Sequence, residues 1–61
     1  MTLTGLPLDL ALDRLQEAGI PAVRVLDVTA RRNAQAPEVR VIRQTPGETC
    51  WTLTVCRFPG L

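Results

Sequence analysis

Between Gly5 and Gly19, the stretch GLPLDLALDRLQEAG repeats apolar residues at intervals of three and four: Leu8, Ala11, Leu12, Leu15 and Ala18. That interval predicts an amphipathic helix whose apolar stripe faces a core. Gly5 permits a sharp backbone turn, and Pro7 suits the first helical position with Leu6 as the cap. Asp9 then meets the positive end of the helix. Gly19 predicts a left-handed stop, and Pro21 prevents continuation. Leu10 falls off the stripe and is expected at the surface. Asp9, Asp13 and Glu17 form a row four apart on a different side, which reads as a solvated face and as a candidate contact surface for a second copy.

After the helix the period shortens to that of strands. Ala22–Val28 is rich in β-branched residues and predicts a first strand. Thr29–Pro37, TARRNAQAP, lacks large apolar residues and predicts an exposed connection. Glu38–Gln44 predicts a second strand, with Val39 and Val41 toward the helix and Arg40, Ile42 and Gln44 on the other face. Thr45-Pro46-Gly47-Glu48 predicts a type II turn, with Gly47 at the position that needs a positive φ. Thr49–Arg57 alternates cleanly: Trp51, Leu53 and Val55 point to the core, and Cys50, Thr52, Thr54 and Cys56 point away. Pro59, in the closing Phe58–Leu61, cannot continue a central ladder. Met1–Thr4 reads as a lead-in or a short edge strand. The expected architecture is α+β, one N-terminal helix on a three-stranded, largely antiparallel sheet, with residues 1–61 as a single domain.

Composition narrows the function classes. With 61 residues, 46% of them hydrophobic, and a formal net charge of +1, the chain is neither a disordered segment nor a strongly basic nucleic-acid binder. Aromatic content is 3%, carried by Trp51 and Phe58, which leaves almost no platform for base stacking. His is absent, so neither Cys50 nor Cys56 has an imidazole base to activate it, and no carboxylate pair is placed for acid–base chemistry. The expectation is a non-enzyme without cofactor or metal. If CWTLTVC is one strand, its two Cα atoms lie ~20 Å apart, beyond the ~7 Å reach of a disulfide. There is no run of 18 apolar residues and no signal-peptide pattern, so no membrane insertion is expected. The chain is expected in the cytoplasm if Met1 is the true start, and outside it if this is a piece of a longer exported protein.

The order helix, strand, loop, strand, turn, strand resembles the PASTA domain of some penicillin-binding proteins and bacterial Ser/Thr kinases. Gly5, Ala11, Leu15 and Gly19 look like that family's helix positions. Val41, Ile42, Gln44, Thr45 and Pro46 match its Val-Ile-x-Gln-x-Pro segment, and Thr52, Leu53, Thr54 and Val55 match its closing Thr-Leu-x-Val strand. Only Gly47–Cys50 separates Pro46 from Trp51, fewer residues than the family usually carries there. The resemblance implies a non-catalytic module that binds peptidoglycan fragments or related anionic peptides.

Two surfaces are candidates for binding. Arg24, Arg31, Arg32, Arg40 and Arg43 crowd one region of the chain, and their planar forks suit the carboxylates of a cell-wall peptide or muropeptide. The alternative is a small intracellular interaction protein that forms homo-oligomers. Free strand edges, exposed Leu10 and Ile42, and the acidic helix row facing the Arg-rich strands of a neighbour would hold the copies together.

Overall fold

A helix of ten residues, α1 (Leu8–Glu17), packs against a three-stranded mixed sheet in a computed structural model that describes residues 1–20 and 22–59. Pro21, expected to stop the helix, and Gly60 and Leu61 of the closing tail lie outside the described residues. The α+β arrangement is the expected one. The strands are β1 (Val23–Asp27), β2 (Glu38–Thr45) and β3 (Trp51–Phe58), in the order β1-β3-β2. β2 pairs antiparallel with β3, whereas β1 runs parallel to it. One of the two pairings is thus parallel, and the last strand lies between the first two.

The helix begins one residue later than expected, with Pro7 in extended geometry at the cap and Asp9 in the first turn. Its end is a Schellman motif: the Gly19 N–H donates to the Gln16 carbonyl and the Ile20 N–H to the Leu15 carbonyl, each at 3.0 Å. Gly19 takes the left-handed φ of 78° that this motif requires. Ile20 is thereby delivered to the core beside the helix.

The buried core is Leu3, Ala11, Leu15, Val41, Leu53 and Val55, with Leu6, Leu8, Ile20, Val23, Val39 and Trp51 packed around it. Ala11 and Leu15 carry the helical stripe, but Leu12 and Ala18 at its margins are exposed. Leu10 is exposed as expected. Leu3 is a core residue that periodicity could not reveal, since it stands outside any regular element. Gly5 turns the chain at φ 92°, so that residues 5–7 run along the outer edge of β2. There the Gly5 N–H donates to the Val41 carbonyl at 2.7 Å and the Val41 N–H to the Leu6 carbonyl at 3.0 Å.

Two expectations about β2 and the turn after it are corrected. Ladder partners step from Val41↔Val55 to Arg43↔Thr54, so Ile42 is an extra residue in a β-bulge. A bulge inverts the facing of every residue beyond it, and Gln44 therefore pairs with Leu53 on the helix side instead of facing outward. The Gln44 amide fastens the N-terminal segment: its Oε1 accepts from the Leu3 N–H at 2.5 Å, and its Nε2 donates to the Met1 carbonyl at 2.7 Å. The second correction concerns the predicted type II turn. Gly47 does not have a positive φ, and β2 and β3 are joined by Pro46–Cys50. Glycine is needed there for space, because a Cβ at Gly47 would lie 2.3 Å from the Cys50 carbonyl oxygen.

Candidate functional site

The helix covers one face of the sheet and leaves the other bare. Registered residues on neighbouring strands share a face. Arg24 aligns with Thr52 and Thr52 with Thr45; Leu26 aligns with Thr54 and Thr54 with Arg43; Cys56 aligns with Arg40. The open face is therefore a central column of Thr52, Thr54 and Cys56, all half-buried, flanked by Arg24 on β1 and by Arg43 and Arg40 on β2. Strand spacing and rise put the Arg24 and Arg43 Cα atoms about 12 Å apart on a diagonal across the threonines. Side chains as long as arginine span that gap from both sides.

The three arginines differ in what already holds them. Arg40 donates from its guanidinium to the Gly5 carbonyl at 2.9 Å and pairs with Glu38 at 3.3 Å, so it locks the N-terminal crossing to β2. Arg24 and Arg43 are exposed and make no ion pair among the described residues. Arg31 and Arg32 are not on this face; they sit in a single 3₁₀ turn, Arg31–Asn33, within the β1–β2 connection. Of the five sequence candidates the sheet brings together Arg24, Arg40 and Arg43. Leu10 and Ile42, the candidates for self-association, are both exposed but lie on different layers, one on α1 and the other at the β2 bulge.

Arg57 was not singled out by sequence, and it organises the end of β1. Its N–H donates to Thr29 Oγ1 at 2.9 Å, its guanidinium to the Ala36 carbonyl at 3.2 Å, and it approaches the Asp27 carboxylate at 3.8 Å. Asp27 in turn accepts from the Thr29 N–H at 2.9 Å and from the Thr29 hydroxyl. Only the register, which puts Arg57 on the helix face opposite Val39, reveals this cluster.

The hydroxyl and N–H of Thr29, followed by the charge of Arg57, hold the Asp27 carboxyl below its ordinary value of 3.8. A lowered folded-state value means that Asp27 contributes stability above the ordinary value and loses it as pH falls through the folded one. Stability measured by denaturant titration along a descending pH series is therefore expected to fall less steeply in Asp27→Asn than in the parent, below the ordinary carboxylate range. Equal slopes would show that the Thr29 contacts do not favour the ionised form.

A concavity of about 490 Å³ lies between the first turn of α1 and the start of β2. Leu8, Leu12 and Val39 give it an apolar lining, with Asp9, Glu38 and Arg40 as charged groups. Among the described residues, no three His, Cys, Asp or Glu side chains gather as a metal site, and no helix is long and apolar enough to cross a membrane. Cys50 and Cys56 are both free and half-buried.

The chain matches no protein-family model, no curated protein and no solved structure.

Proposed function

We propose that the chain is a non-catalytic binding module that takes anionic peptides, of the kind found in cell-wall stem peptides, on the open face of its sheet. The observation that supports this reading is the pair Arg24 and Arg43, exposed and without an ion pair among the described residues, facing each other across Thr52 and Thr54. Guanidinium forks bind carboxylates bidentately, and threonine hydroxyls between them can donate to the remaining lone pairs. A strand-like peptide laid across the face would bring two carboxylates to the two arginines while its apolar groups pass over Leu26. The PASTA-like order of elements points to the same ligand class by resemblance. Nothing on this face provides a nucleophile with a neighbouring base, which is why the reading is binding without chemistry.

The test is a titration of the ¹⁵N-labelled chain with muropeptide fragments and with the corresponding free stem peptides. Shifts are expected at Arg24, Arg43, Thr52 and Thr54, diminishing with added salt. Arg24→Glu with Arg43→Glu is expected to weaken binding at least about tenfold, since each charge-assisted contact carries on the order of 1.5–3 kcal/mol. Amide signals that do not move, or that move equally in the double variant, would remove this face as the site.

A further inference from the structure

The parallel pairing of β1 determines which of its backbone groups are left over. In a parallel ladder one residue in two sends both its N–H and its C=O to the neighbour. The Trp51 N–H donates to the Ala22 carbonyl and the Val28 N–H to the Val55 carbonyl, each at 3.0 Å, so the residues engaged with β3 are the even-numbered ones. Val23, Val25 and Asp27 consequently direct their N–H and C=O groups away from the sheet, and none of these groups has a partner among the described residues. The opposite edge of the sheet is different, being covered at Arg40 and Val41 by residues 5–7. Helix α1 packs chiefly against β2, and on β1 only Val23 is half-buried against the core. Val25, Leu26 and Val28 are 41%, 47% and 56% exposed, so the open edge is also an apolar one.

We propose that this edge docks a second copy of the chain, β1 against β1 in antiparallel order, with Val25 of one copy opposite Val25 of the other. Two features select this occupant and this register. The outward groups are self-complementary about Val25: a two-fold axis there sets Val23 against Asp27 twice and Val25 against itself, giving about six backbone hydrogen bonds. Slipping by two residues toward the C-terminal end would set Val23 against Thr29, whose N–H is already donated to the Asp27 carboxylate. A slip the other way leaves only Val23 and Val25 paired within the strands. On the open face Leu26 then lies beside the aliphatic stem of the other copy's arginine at position 24, and on the helix face the two Val25 side chains meet.

The product is a continuous six-stranded sheet with the strand order β2-β3-β1-β1-β3-β2 and both helices on one side. Its interface is only five residues long on each copy, so association is weak and concentration-dependent. This surface is the edge of β1 and does not depend on whether the open face binds peptides.

A chain of this length can be made by total synthesis, which allows N-methylvaline at position 25. That change removes a donor the fold does not use, since the Val25 N–H points away from β3. Sedimentation equilibrium from about 10 μM to about 1 mM, a range chosen to bracket weak association, should show the parent approaching twice its 6.7 kDa mass. The N-methyl form is expected to dissociate at least about tenfold more readily, with an unchanged circular dichroism spectrum. If the N-methyl form fails to fold, Val25→Lys decides the matter: it keeps the backbone donor and sets two like charges face to face, which should weaken the dimer comparably. A parent that stays monomeric over the whole range, or a dimer as stable in a folded Val25 variant as in the parent, overturns the proposal.

Discussion

Leu53→Ala is expected to cost about 2–5 kcal/mol, the usual range for truncating a leucine at the centre of a core. Leu53 has no solvent exposure, stands in the middle of the central strand and has neighbours on both sides: Val25 on β1 and Gln44 on β2. A domain of this size is held by roughly 3–9 kcal/mol in total, on the scale of 0.05–0.15 kcal/mol per residue. A single truncation there therefore consumes much of the stability, and a measurable unfolded population in the absence of denaturant is the expected result. Half-buried Trp51, two residues away on the same face, reports it by fluorescence during urea titration. Leu10→Ala on the exposed side of the helix is the matched comparison, expected within about 0.5 kcal/mol of the parent. Similar costs at the two positions would show that the core is not centred on β3.

The second large effect is expected at a polar residue. Gln44→Ala removes the acceptor of the buried Leu3 N–H and the donor to the Met1 carbonyl, at a cost of about 1–3 kcal/mol. A double-mutant cycle with Leu3→Ala should return a coupling of about 0.5–3 kcal/mol, because Leu3 reaches the core only where Gln44 holds the segment. Gln44→Glu keeps the acceptor and loses the donor, so an intermediate cost is expected. Were Gln44 on the outer face, as strict alternation along β2 implies, all three changes would cost less than about 0.5 kcal/mol.

These two residues mark how far the sequence is legible. Leu53 is found by alternation alone, because β3 carries no bulge, proline or glycine between Trp51 and Phe58. Gln44 is misplaced by the same reasoning, since one extra residue at Ile42 inverts the facing of the residues beyond it and leaves no mark in composition. The helix was legible almost to the residue because its end is chemically specified: only glycine takes the φ of Gly19 without strain. The role of Gly47 was not, since a glycine required for a carbonyl's close approach looks the same in sequence as one required for its dihedral.

The arginine cluster was legible only as a set of neighbours along the chain. Which of its members share a face depends on the parallel register of β1, a long-range pairing between residues 23 and 51 that local periodicity does not encode. That register separates Arg24 and Arg43, which face across the threonines, from Arg31 and Arg32, which the connection carries elsewhere. It also exposes the three outward residues of β1.

The strand order has a bearing on how the chain acquires its structure during synthesis. The central strand is the last of the three to be made, and β1 and β2 are not neighbours in the sheet. Until residues 51–55 have emerged β1 has no strand to pair with, and until residue 58 has emerged β2 cannot complete its ladder. The β2–β3 hairpin closes over a short loop, whereas β1 must return across some twenty-eight positions of sequence to find its parallel partner, on the loop-closure argument that distant contacts form last. A nascent chain therefore holds the apolar β1 without any sheet for the longest time. The same strand is the last to join the sheet and the one that keeps a free edge afterwards.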